Sequence, residues 1–242
     1  YMKNLLHGDF GVSLKTGRDI RQTINESFAI SARIGAMAMV IAIAAGIVLG
    51  SIAALMRNKW PDRVIVFFAT LATAMPSFVL ASLLLLLFCI KLKWIPVWSS
   101  TSHNYILPAL SLSLYPMAYI TRLTKTSMLD VLGQDYIRTA RAKGVAGWKV
   151  IFKHALRNAL IPVITYVGPM TASILTGSLV IEKIFTIGGL GSKFVDCITN
   201  RDYTMIMGNL VLGAVLTLAG NLLADFCYGL ADPRIRNAKD NA

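Results

Sequence analysis

The sequence predicts an all-α protein that crosses a membrane several times. Of its 242 residues, 55% are hydrophobic and 15% are charged, whereas an ordinary soluble domain carries about 25% charged residues. The apolar residues form unbroken runs close to the roughly 20 residues that a transmembrane helix needs. Strands of an outer-membrane barrel would instead alternate apolar and polar residues. These observations predict a polytopic helical membrane protein.

The first 28 residues differ from the rest of the chain. Residues 1–28 mix charged residues with glycines and become amphipathic toward Phe28, which predicts an extracytoplasmic or interfacial segment with a short helix. Residues 29–242 are predicted to form the transmembrane domain, with a loop at 124–157.

Five apolar spans are predicted in the transmembrane domain. Small residues in the first span favour close helix contacts, and Pro76 in the second predicts a kinked helix. Glu182, next to the end of the fourth span, is expected to lie at the membrane interface. The approximate bounds of the spans are 30–55, 64–90, 105–123, 158–181 and 203–224.

The longest polar interval separates the third and fourth spans. Residues 134–162 contain seven Lys, Arg or His side chains and a single acid, Asp135. A Lys or Arg at the bilayer centre costs about 2.5–3.5 kcal/mol on insertion scales, so this interval is expected to lie in water. Basic loops are typical of the cytoplasmic side, which places the loop and the C-terminus there. The net charge of +12 is then explained by membrane topology, and nucleic acid is not an expected partner.

A short helix is predicted inside this loop. It runs from about residue 134 to residue 143 and ends at Gly144, because glycine suits the position after a helix C-terminus. Arg141 and Lys143 suit its last turn, where cations interact favourably with the helix dipole.

Several stretches resemble ABC importer permeases of the oligopeptide/dipeptide/nickel family, and in particular the first-subunit, oligopeptide-permease-B-like type. In the central loop, the general signature of Glu-Ala-Ala, three residues and Gly is matched at Ala140 and Gly144. Arg138 and Thr139 replace its first two residues, and the spacing from Gly144 to Pro162 is longer, as in the peptide-permease branch. The resembling stretches are HGDFG at 7–11, MPSFVLASLLLLLF at 75–88, ILPALSLSL at 106–114, YIRTARAKGV at 136–145, HALRNALIPV at 154–163, TGSLVIEKIF at 176–185, GGLG at 188–191, NRDY at 200–203 and ADPRIR at 231–236.

The resemblance implies a non-catalytic permease subunit of a binding-protein-dependent ABC importer in the bacterial cytoplasmic membrane. Such a subunit forms half of a path for peptides, together with a second homologous permease subunit. Its other partners are one or two cytoplasmic ABC ATPase subunits, which bind ATP and Mg, and an extracytoplasmic solute-binding protein. This chain is expected to bind no cofactor. The resemblance also implies one further helix ahead of Tyr1.

Two alternatives remain at this point. A nickel or metallophore importer permease would share the same sequence features. An ATP-independent secondary transporter would need ionisable groups within its spans, and the interiors of the predicted spans have none, for example between Arg63 and Lys91.

The resemblance further implies that the loop docks on an ATPase subunit. Tyr136, Ile137 and Ala140 would form the apolar docking face, and Arg138 and Arg141 would meet acids of the partner. The residues expected to carry the coupling are Asp135, Tyr136, Ile137, Arg138, Thr139, Ala140, Arg141, Ala142, Lys143 and Gly144.

Polar residues within the spans are expected to line the translocation path. They are Ser77, Ser111, Ser113, Thr165, Thr171, Ser173, Thr176 and Asn209. No metal site is expected, because the three histidines are far apart, and the sequence shows no pairing of nucleophile and base that would indicate catalysis.

Overall fold

The computed structural model describes residues 8–99, 103–175 and 178–231. These residues form helices and connecting turns, with one isolated antiparallel bridge between Val12 and Asp19, and this confirms the predicted fold class. In chain order the helices are α1 (Ile20–Leu55), α2 (Trp60–Ala74), α3 (Ser77–Leu84), the π-helix π1 (Leu85–Lys91), α4 (Ile106–Leu132), α5 (Asp135–Ala142), α6 (Gly147–Lys149), the π-helix π2 (Val150–Leu156), α7 (Arg157–Ala159), α8 (Ile161–Leu175), α9 (Leu179–Ile184), α10 (Leu190–Thr199) and α11 (Tyr203–Ala231).

The chain forms two compact units, each with its own buried apolar cluster. The first unit contains the described residues up to Met39, Pro76–Leu112 and Thr171–Asn221, and its cluster consists of Ile20, Ile24, Leu190, Cys197 and Met205. The second unit contains Val40–Met75, Ser113–Met170 and the described residues from Leu222, and its cluster consists of Ala54, Met128, Ile137, Val150, Ala155 and Ala159.

Helix α1 begins earlier than the first predicted span. The side chain of Asp19 accepts a hydrogen bond from the backbone N–H of Gln22 at 3.2 Å, which is the usual arrangement of a helix N-cap. From there the helix continues unbroken to Leu55. The amphipathic stretch that was predicted as a short interfacial helix is therefore continuous with α1, and Ile20 and Ile24 are buried in its first turns. Its position relative to the membrane stays a prediction.

The second predicted span is interrupted at its proline. Helix α2 ends at Ala74, and Met75 is extended, with φ −86° and ψ 138°, as expected for a residue that precedes proline. Helix α3 then begins at Ser77, and π1 follows it. Pro76 therefore divides this span into two helices where the sequence predicted a kink within one.

Two described helices are long and apolar enough to cross a bilayer. They are α1 and the part of α11 from Tyr203 to Leu222, and the interrupted pair from Trp60 to Lys91 would be a third. The third predicted span lies in α4, which continues to Leu132 and so into the predicted loop, and the fourth contains α8. Neither helix meets the same length and apolarity. The count of five spans stays a prediction.

Helices α1 and α4 make a close contact within the second unit. A Cβ atom at Gly46 would lie 2.7 Å from the side chain of Ile120, and one at Gly50 would lie 2.5 Å from the carbonyl oxygen of Thr121. Only glycine allows such an approach, so the structure has the close packing that the small residues of the first span predict.

Candidate functional site

The central loop contains the predicted short helix. Helix α5 covers Asp135–Ala142, and Gly144 follows it with φ +75°. The N–H of Gly144 donates to the carbonyl of Arg141 at 3.0 Å, and the N–H of Val145 donates to that of Ala140 at 3.2 Å. These two bonds form a Schellman cap, in which a left-handed residue closes the helix. The predicted helix and its end at Gly144 are confirmed.

One side of α5 is held inside the protein by Ile137. Its side chain is fully buried in the cluster of the second unit, together with Met128, Val150 and Ala155. The prediction that Ile137 lies on the docking face is therefore wrong. The period of a helix shows which residues share a side, but it does not say whether that side meets another chain or the helix's own protein.

The other side of α5 is exposed and basic. Tyr136 is 42% exposed, and its hydroxyl oxygen accepts a hydrogen bond from the side chain of Asn158 at 2.8 Å. Arg138 lies 3.5 Å from Asp135, but both side chains are largely in solvent, where such a pair adds little stability. The residues of this exposed face are Asp135, Tyr136, Arg138, Thr139, Arg141, Ala142, Lys143 and Gly144, with Ala140 half-buried beside them.

Two aromatic residues extend this surface and were not among the predicted site residues. Trp148 and Phe152 are each 63% exposed, on α6 and π2 of the same unit. Lys149 lies 5.4 Å from the ring centre of Trp148, within the range of a cation–π contact. The sequence could have indicated them, because they are large apolar residues in a segment that is too basic to enter lipid.

A buried ion pair supports the start of α2 beside α4. Lys125 lies 2.5 Å from a carboxylate oxygen of Asp62, which is 5% exposed, and the other oxygen accepts from the N–H of Asn58 at 3.0 Å. Sequence analysis treated Asp62 only as part of a short charged turn. Its partner lies 63 positions further along the chain, and a single sequence does not reveal such a pairing.

In the first unit, Glu182 forms the centre of a buried hydrogen-bond network. One carboxylate oxygen accepts from the Ser31 hydroxyl at 2.7 Å, and the other accepts from the N–H of Ser192 at 2.9 Å. The Ser31 oxygen in turn accepts from the N–H of Leu190 at 2.8 Å. A Cβ atom at Gly189 would lie 2.5 Å from the carboxylate. The side chain of Glu182 is 2% exposed and so faces the interior of this unit, and its predicted position at the membrane interface stays a prediction.

The environment of Glu182 also affects its ionisation. It lies in α9, outside the helices long and apolar enough to cross a bilayer. Burial raises the pKa of its carboxyl group, although the hydrogen bonds from Ser31, Ser192 and Gly191 oppose part of that rise. The network therefore combines an unfavourable desolvation of the charge with favourable bonds to the carboxylate.

A groove of about 310 Å³ lies in the first unit beside α9, α10 and α11. Among the predicted path residues that the structure describes, Asn209 lines it. The residues lining the groove are Leu179, Leu190, Gly191, Phe194, Asn209, Leu210, Gly213, Ala214 and Thr217.

The remaining predicted path residues occupy varied positions. Ser111 is buried and its hydroxyl donates to the carbonyl of Leu107, while Thr165 donates to Ile161 from an exposed position. Ser77 is exposed at the start of α3. Ser113 is buried, Thr171 is half-buried and Ser173 is exposed. Thr176 lies outside the described residues. Their role in a path stays a prediction.

Within the described part of the chain, no group of three or more His, Cys, Asp or Glu side chains is arranged to hold a metal ion. The helical fold and its long apolar helices define the class of protein as a helical membrane protein that exposes a capped basic loop.

Comparison with known proteins gives the family. The model of the binding-protein-dependent transport system inner membrane component matches residues 46–237, and the chain belongs to this family. It is 48% identical to the dipeptide transport system permease protein DppB of Bacillus subtilis, over 98% of this chain and 77% of that protein. It is 42% identical to the oligopeptide transport system permease protein OppB of Salmonella typhimurium, over 98% and 78% of the two chains.

A further relative is the glutathione transport system permease protein GsiC of Escherichia coli O1:K1, 40% identical over 98% of this chain and 78% of that protein. Among solved structures, an inward-facing MetNI methionine ABC transporter superposes with a TM-score of 0.66 at 16% identity, covering 86% of this chain and 94% of that one. An amino acid ABC transporter gives a TM-score of 0.65 at 13% identity, covering 86% and 93%. These structures show the shared fold.

Proposed function

We propose that this chain is the permease subunit of a peptide importer and forms half of its translocation path. The observation that carries this proposal is the identity of 48% and 42% to permeases named for dipeptides and oligopeptides, over nearly the whole chain. Such similarity favours peptides over the alternative solute, nickel or a metallophore. It equally favours an ABC importer over a transporter that works without ATP.

In the proposed mechanism, an extracytoplasmic binding protein delivers the peptide to a pair of homologous permease subunits. One or two cytoplasmic ABC ATPase subunits bind ATP and Mg and carry out hydrolysis, and this chain has no catalytic role. The C-terminus and the central loop lie on the cytoplasmic side of the bacterial membrane. Closure of the ATPases moves the loop, and the spans then alternate between inward- and outward-open states.

The exposed side of α5 is the proposed contact with the ATPase. Arg138 and Arg141 are exposed on α5 and Lys143 follows its last turn, which suits a partner groove lined by acids. Tyr136, Trp148 and Phe152 supply exposed apolar area beside these charges, and aromatic and Arg side chains are the types that commonly dominate interface energies. Ile137 has a different role here. Its buried side chain fixes α5 to the rest of the second unit, so that a movement of α5 also moves that unit.

Charge reversal on this face tests the proposal. The variant Arg138→Glu/Arg141→Glu should reduce peptide uptake by at least tenfold in reconstituted complexes, because two like-charge contacts would replace two attractive ones. The control Lys91→Glu/Lys93→Glu makes the same change of charge at exposed positions of the first unit and should retain most uptake. Recovery of the ATPase subunits on a tagged, assembled complex measures docking directly. Normal uptake and normal ATPase recovery in the first variant would exclude α5 as the docking face.

A further inference from the structure

The groove in the first unit has the volume and the apolar lining of a binding site for one segment of a larger ligand. Its volume of about 310 Å³ lies at the lower end of the roughly 300–1,000 Å³ that ligand pockets occupy. Its lining is mostly apolar, with Leu179, Leu190, Phe194 and Leu210 contributing large side chains. A volume of this size accommodates one or two residues of a peptide.

Asn209 gives the groove an unpaired hydrogen-bond acceptor. Its side chain is 5% exposed, and its amide nitrogen donates to the sulfur of Cys197 at 3.8 Å. The amide oxygen is buried, and no group in the described part of the chain donates to it. A buried acceptor without a donor is unfavourable and uncommon in folded proteins, so this oxygen marks a place where an incoming N–H would be favoured.

The wall opposite α11 is fixed before any ligand arrives. Gly191 approaches α9 so closely that a Cβ atom there would lie 2.9 Å from the backbone nitrogen of Leu179. Glu182 holds the next residue, Ser192, by its backbone N–H, and Ser31 holds Leu190 in the same way. The buried network around Glu182 therefore positions one side of the groove, which reduces the ordering that binding would otherwise require.

The floor of the groove on α11 is open. A Cβ atom built on Gly213 meets no atom within 4 Å, and Ala214 and Thr217 are the next residues that line the groove. The hydroxyl of Thr217 donates its proton to the carbonyl of Gly213 at 2.8 Å, and its oxygen can still accept. The oxygen of Asn209 differs because it is buried without a donor among the described residues, so a donor from a ligand gains most there.

We propose that this groove binds the transported peptide, with the Asn209 amide oxygen accepting a backbone N–H and the apolar lining receiving the adjacent side chain. An extended peptide carries a free N–H at nearly every residue. A transmembrane helix of a second subunit uses its N–H groups internally, and a lipid chain has none. This inference rests on the proposed function and names the part of this chain that touches the solute.

The test compares two substrates in the complete importer, reconstituted with its partner subunits and binding protein. One is a short peptide, and the other is the same peptide with one backbone amide N-methylated, so that it cannot donate at that position. The methylation is moved along the peptide in turn. For one position of the methyl group, the wild-type importer should take up the parent peptide about tenfold faster than the methylated peptide. In the Asn209→Leu importer this ratio of uptake rates should fall to the value that the binding protein alone produces. Because the same binding protein is used throughout, its own selectivity cancels when the two ratios are compared.

A second variant fills the groove without disturbing its walls. Gly213→Leu places a side chain in the open floor and should reduce uptake of peptides with Phe or Leu side chains by about tenfold more than uptake of Ala peptides. The control Val215→Leu lies on the same helix but outside the groove, and it should change the uptake of both kinds of peptide by the same factor. In wild-type complexes, a peptide carrying a benzophenone group should form covalent adducts with the groove residues.

The outcomes separate the two levels of the inference. Unchanged substrate ratios in Asn209→Leu and Gly213→Leu, with adducts only elsewhere in the complex, would overturn the groove assignment while leaving the peptide importer intact. Adducts on the groove together with changed ratios would support it. If Asn209→Leu lost all uptake, the Gly213→Leu ratio and the adduct positions would decide. Failure of the wild-type complex to take up any peptide would instead overturn the proposed function.

Discussion

Replacing Ile137 should uncouple ATP hydrolysis from transport. The side chain is fully buried and joins α5 to a cluster that includes Met128 and Val150. Replacement of a buried isoleucine by alanine costs about 2–5 kcal/mol and replacement by valine about 0.5–1.5 kcal/mol, because both leave space that neighbours fill only in part. Most of this loss falls on the attachment of α5 to its own unit. The exposed residues proposed to meet the ATPase are left unchanged.

The assay measures peptides transported per ATP hydrolysed in proteoliposomes that contain the assembled importer and its binding protein. Ile137→Ala should retain ATP hydrolysis and lower this ratio by at least fivefold, and Ile137→Val should give an intermediate value. Ile198→Ala serves as the control, because Ile198 is 49% exposed and lies in the first unit. Its ratio should match that of the wild-type protein.

One result would refute the reasoning about Ile137. If Ile137→Ala and Ile198→Ala gave the same transport ratio and the same thermal midpoint, the buried contact would not hold α5. Loss of ATPase recovery in Ile137→Ala would have a different meaning, namely that the variant had disturbed docking. Pull-down of the assembled complex distinguishes these two results.

Two further predictions concern packing and the buried carboxylate. Gly50→Ala should destabilise the protein by about 1–3 kcal/mol through overpacking, since its Cβ would lie 2.5 Å from backbone of α4, whereas Gly213→Ala should be neutral or stabilising. Equal thermal midpoints for these two variants would contradict the close helix contact. Glu182→Ala should lower stability because the Ser31 hydroxyl and the Ser192 N–H lose their acceptor, at about 1–3 kcal/mol each. Glu182→Gln keeps one acceptor oxygen and should lose less stability in the same melting experiment. A lower thermal midpoint for Glu182→Gln than for Glu182→Ala would argue against the network.

The features that local sequence determines were predicted well. The unbroken apolar runs indicated the helical class, and Gly144 marked the end of α5 because a left-handed residue after a helix strongly favours glycine. The family followed from many short stretches in the right order. Each of these signals lies within a few neighbouring residues and needs no knowledge of distant contacts.

The features that depend on distant residues were missed. Burial of Glu182 requires Ser31, which is 151 positions away, and burial of Asp62 requires Lys125. A charge beside an apolar run gives no sign of its burial when its partner is not known. The side of α5 that carries Ile137 was assigned to the partner for the same reason, since helical periodicity groups residues by face and only the fold decides what each face meets.

The π-helix Val150–Leu156 gives the central loop a geometric property that is independent of the proposed docking. A π-helix usually behaves as an α-helix with one extra residue, and it is often found at functional sites. Each α-helical residue advances the chain by about 100° around the helix axis. The seven residues of the π-helix therefore turn about as far around the axis as six α-helical residues would. Deleting one of them would restore α-helical geometry and leave Arg157–Ala159 close to its present orientation relative to Gly147–Lys149. A shift of the extra residue along the helix would instead turn the side chains that it passes to a new face without breaking the helix.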